Sequence, residues 1–149
     1  MIEVRSYFRV DGQFVLADDL QGDVPDTDYV EGAITVDVDG VPFIDFEHWD
    51  LVDQLWSYIS EALLTLKQGQ DASIFFPDQP LELSFKQVEK GRVKVVLHTQ
   101  PKGRTIVVDK TELMSSFSKA GLHFLELMGR LSPGAKSAYD EGVENFSRL

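Results

Sequence analysis

No cysteine occurs in the 149 residues of this chain, which excludes a disulfide framework and every site built on a thiolate, whether structural zinc, iron–sulfur or a cysteine nucleophile. No apolar run reaches the roughly 18 residues needed to span a bilayer. The first residues, MIEVRSYFRVDG, alternate where a signal peptide would show a basic and then an apolar stretch. These two absences lead to the expectation of a cytoplasmic protein, neither membrane-embedded nor secreted through a signal peptide. The third scarcity is positive charge. Between Arg9 and Lys67, 57 consecutive residues hold no lysine or arginine but fourteen Asp and Glu, from Asp11 to Glu61. Residues 1–66 carry fifteen acids against Arg5 and Arg9, net −13, and residues 67–149 are net +2, so the whole formal −11 belongs to the first half. A one-signed field steers cationic partners without specifying a fold. It disfavours nucleic acid and anionic membranes, whose phosphates need clustered Lys and Arg.

What is present is a chain of ordinary single-domain size, 43% hydrophobic, with ten Phe, four Tyr and two Trp to fill a core. One domain over residues 1–149 is therefore expected. Ile2, Val4, Phe8 and Val10 alternate with Glu3, Arg5, Tyr7 and Arg9, the period of a half-buried strand, with Ser6 as the one break in the apolar face. Residues 17–31, ADDLQGDVPDTDYVE, have no period and read as an acidic loop. Ile34, Val36 and Val38 mark a second strand. Asp39-Gly40 supplies the positive-φ pair of a hairpin turn into Val41–Phe46, where Pro42 predicts an edge strand.

From Asp50 to Lys67 the spacing of Leu51, Val52, Leu55, Ile59, Ala62, Leu63 and Leu66 predicts a helix, with Asp50 as its cap. Four further strands follow, around 73–76, 81–88, 92–99 and 104–108, joined by short turns as in a meander. Leu113, Met114, Phe117, Phe124, Leu125, Met128 and Leu131 form the face of a second helix, capped by Asp109 or Thr111. On that face Gly121 leaves room for another element. Ser132-Pro133 ends it and begins a third helix. The order predicts an α+β fold: a mostly antiparallel sheet of about six to seven strands, with one long central helix and two C-terminal helices packed on one face.

The candidate functional residues are carboxylates. Asp18, Asp19, Asp23, Asp26, Asp28 and Glu31 lie in the loop, and Asp50, Asp53 and Glu61 on the first helix. If the loop folds beside the exposed side of that helix, they form a surface that accepts charge-assisted hydrogen bonds from Arg and Lys. Trp56, flanking the apolar stripe, is a candidate interface anchor, whereas Phe43 and Phe46 read as core. The loop lacks the ordered D-x-D-x-D-G and closing Glu of a calcium loop, and no metal site or cofactor is expected. Glu47-His48-Trp49-Asp50 invites an acid–base reading but also suits a helix entrance. G-x-S-x-G, G-x-x-x-x-G-K-[ST] and G-x-G-x-x-G are all absent, so no catalytic residue is assigned.

Small size, an acidic half, scattered bases and the lack of catalytic motifs resemble the small acidic antitoxins and immunity proteins that bacteria pair with secreted toxins. The segment VDVDGVPFIDFEHWDLVDQLWSYI is similar to segments in small bacterial proteins. This resemblance implies an inhibitor that occludes the basic substrate cleft of a toxin, often a nuclease, with a basic protein as partner. The alternatives are a non-catalytic accessory or self-assembling subunit, through the edge strand with Pro42, and more remotely a metal-dependent enzyme using the clustered carboxylates.

Overall fold

Two antiparallel sheets carry the fold in the computed structural model, which describes residues 1–149. In the first, β1 (Ile2–Val10), β2 (Gln13–Leu16), β3 (Glu31–Val38) and β4 (Val41–Ile44) lie in the order β2-β1-β3-β4, and the short β5 (Asp50–Leu51) pairs with β3. The second is the expected meander of β6 (Ala72–Phe75), β7 (Glu82–Val88), β8 (Arg92–His98) and β9 (Arg104–Asp109). The helices are α1 (Val52–Lys67), α2 (Lys110–Leu131) and α3 (Asp140–Ser147), with a 3-10 turn at Pro133–Tyr139 before the last. The chain is thus α+β and antiparallel as the periodicities imply, but its nine strands divide between two sheets.

Local chemistry accounts for most boundaries. Asp11-Gly12, Asp39-Gly40 and Lys90-Gly91 all have positive φ at both residues, the conformation of the two-residue turns that match the twist of a hairpin. Asp109 caps α2, accepting the Glu112 amide at 2.9 Å. Asp50 does not cap α1. Leu51 occupies that position without a side-chain bond, and Asp50 is buried for another purpose described below.

The inner faces of both sheets turn toward the helices. α1 touches β3, β6 and β7, and α2 touches β1 and β9. One cluster of 31 buried residues, from Ile2 to Phe146, joins both sheets and all three helices. Trp56 sits in it, its ring edge-on to Phe117 and Phe146 at centroid distances of 6.2 and 5.7 Å. Its indole N–H donates to Ser6 Oγ at 2.9 Å. The one polar break on the apolar face of β1 therefore satisfies the one polar atom of the largest buried ring. Gly121 lets the helices approach this closely: a Cβ there would overlap the Phe146 ring and lie 2.8 Å from Trp56.

The two sheets meet at their edges. Arg104 on β9 donates to the Phe43 carbonyl on β4 at 3.2 Å and to the Asp45 carboxylate at 3.0 Å. The edge strand containing Pro42 is thus flanked by the second sheet. No helix is long and apolar enough to cross a membrane.

Candidate functional site: an acidic loop beside an aromatic sheet face

The loop between β2 and β3 displays Asp18, Asp19, Asp23, Asp26, Asp28 and Glu31, all exposed. It is pegged from beneath by Ala17, Val24 and Val30, all buried. Asp26 Oδ1 accepts the amides of Asp28 and Tyr29 at 2.9 and 3.3 Å, closing a tight turn at its tip. Asp18 reaches His123 of α2 at 2.7 Å, and Glu31 meets Arg9 of β1 at 3.5 Å. The loop carboxylates are spread over one surface, and no three His, Asp or Glu side chains converge in a way that could hold a metal ion.

The helix residues do not join them. Asp50, 2% exposed, accepts the backbone N–H of Leu51 (2.6 Å), Asp78 (3.0 Å) and Gln79 (2.8 Å), fastening the turn between β6 and β7 to the start of α1. Asp53 is buried and accepts the Tyr139 hydroxyl at 2.9 Å and the Gln54 amide at 2.8 Å. Trp56 has no exposed surface. The expectation that these three face a partner is corrected: the β6–β7 turn covers Asp50, the 3-10 turn brings Tyr139 onto Asp53, and α2 and α3 pack over Trp56 on the side of α1 that the helical period alone leaves open. Glu61 is exposed on α1, with no hydrogen bond or cavity linking it to the loop.

Burial raises the pKa of Asp53, an effect that the Tyr139 hydroxyl and the Gln54 amide only partly offset. Tyr139 is pushed up in turn by burial and by the Asp53 carboxylate. The folded protein therefore holds the Asp53 proton more tightly than the unfolded chain does. This contribution to stability is present below the unfolded-state value and lost as pH rises through the folded-state value. Asp53→Asn keeps an oxygen for Tyr139 and removes the charge. In urea melts it should gain stability relative to the parent between about pH 4 and about pH 7; parallel profiles would show that Asp53 titrates as in the unfolded chain.

The structure adds residues that the sequence reading did not assemble. Tyr7 of β1 and Phe14 of β2 lie on the outer face of the first sheet, and Phe46 packs over both. The ring centroids are 4.8 Å apart, edge-on, for Tyr7–Phe46 and 4.6 Å apart, stacked, for Phe14–Phe46. Phe46, expected in the core, is 41% exposed; Phe43 is buried as expected. Alongside, the Arg9 guanidinium lies 4.1 Å from the centre of the Trp49 ring, a cation–π contact. Arg9 also lines, with Asp26, Tyr29 and Glu31, a shallow cavity of about 290 Å³ at the loop. Large aromatic rings left partly open on a sheet face, bordered by carboxylates, have the composition of an interface centre with a charged rim.

The signal for Phe14 was available in Asp11-Gly12. Reading it as a hairpin turn sets the register Arg9↔Phe14 and Tyr7↔Leu16 and places Phe14 on the outer face with Tyr7.

Glu47-His48-Trp49-Asp50 forms no acid–base group. His48 is buried, its Nδ1 accepting the Asp45 amide at 3.0 Å, and Asp50 is committed to the β6–β7 turn. Burial lowers the His48 pKa, with the Asp45 charge opposing. For Asp45, burial acts to raise the pKa, but the Glu47 amide and the Arg104 guanidinium outweigh it and hold the carboxyl below its ordinary range. In comparisons with protein-family models, curated proteins and solved structures, no family, protein or structure matches this chain.

Proposed function

We propose that the chain is a binding protein of the immunity or antitoxin type, which occludes the basic substrate cleft of a toxin, a nuclease foremost. The observation that carries this reading is that Arg9, paired in register with Phe14 beside the partly open rings of Tyr7, Phe14 and Phe46, shares a cavity with the loop carboxylates of Asp26 and Glu31. A nuclease cleft must be basic to hold phosphates, so a carboxylate surface competes for the same Arg and Lys. Long-range attraction raises the encounter rate by roughly 10 to 10³, falling steeply with salt. Once docked, open aromatic faces accept guanidinium groups by stacking while the neighbouring carboxylates pair with them. The loop acids then govern association and the aromatic strip governs dissociation.

The test is recovery of the protein with its partner from the cells it comes from, followed by assay of the purified partner's activity with and without the chain. The expected result is stoichiometric inhibition. Reversing Asp19, Asp23 and Asp28 to Lys slows association by roughly tenfold or more at low salt, with little change in thermal stability because all three are exposed and their carboxylates hold none of the loop's hydrogen bonds. Phe46→Ala leaves association intact and speeds dissociation. Full activity of the partner in the complex, or unchanged association after charge reversal in a folded variant, refutes the reading.

A further inference from the structure

Where the two sheets meet, a cavity of about 410 Å³ opens between the 3-10 turn Phe46–His48 and the loop joining β8 to β9. Glu47, His48, Gln79, Thr99, Lys102 and Arg104 are among the residues that line it. The informative group is His48, whose side chain is 7% exposed. Its Nδ1 accepts the Asp45 amide, so the neutral ring carries its proton on Nε2. No group of the chain accepts from Nε2, yet the one enclosed side-chain polar atom without a partner is Ser132 Oγ. The Nε2–H of His48 is therefore not enclosed, and the ring, held in place by its own turn, lines the cavity.

Two cations share this cavity. Arg104 uses Nη1 for the Phe43 carbonyl and Asp45, which leaves the remaining N–H groups of its five-donor fork. Lys102 is exposed, and its ammonium is paired with no carboxylate. Asp45 is occupied by Arg104 and by the Glu47 amide, so Glu47 is the one free carboxylate at the rim. Fixed N–H donors beside two cations match the oxygens of a small anion.

We propose that this cavity binds a small free oxyanion, a phosphate or a carboxylate, through His48 Nε2–H, the Arg104 guanidinium and the Lys102 ammonium. The site does not depend on the inhibitor reading and is separate from the acidic loop.

The test is a titration of the isolated full-length chain with inorganic phosphate and, separately, with succinate, at fixed ionic strength and neutral pH. It is followed by amide and imidazole nitrogen NMR. The expected result is a saturable shift of His48 Nε2 and of the Gln79 and Arg104 resonances at roughly millimolar anion or below. The better of the two anions names the ligand class. Lys102→Ala, at an exposed position, weakens binding about fivefold or more, and Glu47→Gln strengthens it by removing the opposing charge. Saturation by neither anion overturns the proposal, as does binding that is indifferent to both substitutions.

Discussion

Trp56→Ala lowers the unfolding free energy by about 3–5 kcal/mol, read as a fall in the urea midpoint at constant slope. The indole has no exposed surface, packs edge-on against Phe117 and Phe146, and donates to Ser6 Oγ. Truncation therefore removes apolar burial, leaves a cavity among three helices, and strips a half-buried hydroxyl of its partner. Domains of this size are stable by roughly 5–15 kcal/mol, so the variant stands close to the limit of folding. Trp56→Phe keeps most of the ring and loses the hydrogen bond, and the expected cost is about 1–2 kcal/mol. A loss below about 1 kcal/mol for the alanine variant would return Trp56 to the surface and revive it as an interface anchor.

Asp50→Ala is expected to cost roughly 3–5 kcal/mol, because three backbone N–H groups lose a single carboxylate partner in a buried setting. The effect is local before it is global. The turn at Asp78 and Gln79 is held to the start of α1 by that carboxylate, together with the Gln79 side chain, whose amide donates to the Glu47 and Trp49 carbonyls. Amide exchange at Asp78 and Gln79 should accelerate under conditions where the α1 core amides remain protected. Asp50→Asn, which retains one acceptor oxygen, should keep part of that protection. Unaltered exchange at both amides in the alanine variant would show that the β6–β7 turn is fixed by other contacts.

These two positions also show where the sequence stops being legible. Strand alternation, the Asp39-Gly40 turn, the Asp109 cap and the need for Gly121 are short-range properties, and each can be read from neighbours in the chain. Asp50 looked like a helix cap because an acid before an apolar period usually is one; its partners lie 28 and 29 residues downstream. Trp56 and Asp53 sit on the flank of the α1 stripe, and only the return of the last two helical segments decides that this flank is covered. No local pattern announces the split into two sheets or the tie between them, Arg104 reaching across to β4. The loop carboxylates could be found by counting charge. The aromatic strip depended on the register of β2, and so on recognising a second Asp-Gly turn.

If the acidic loop is the docking surface proposed above, the pegs beneath it decide how recognition unfolds in time. Ala17, Val24 and Val30 are buried, and Asp26 locks its own turn, so a visitor meets carboxylates already in position. Conformational entropy of about 1–2 kcal/mol per ordered residue is lost when the chain folds and not again on binding. Preorganisation of this kind spares affinity the discount that a segment folding on contact would impose. Docking of the proposed partner on this loop would then be close to rigid, its speed set by diffusion in the field of the carboxylates and not by a coil searching for its shape.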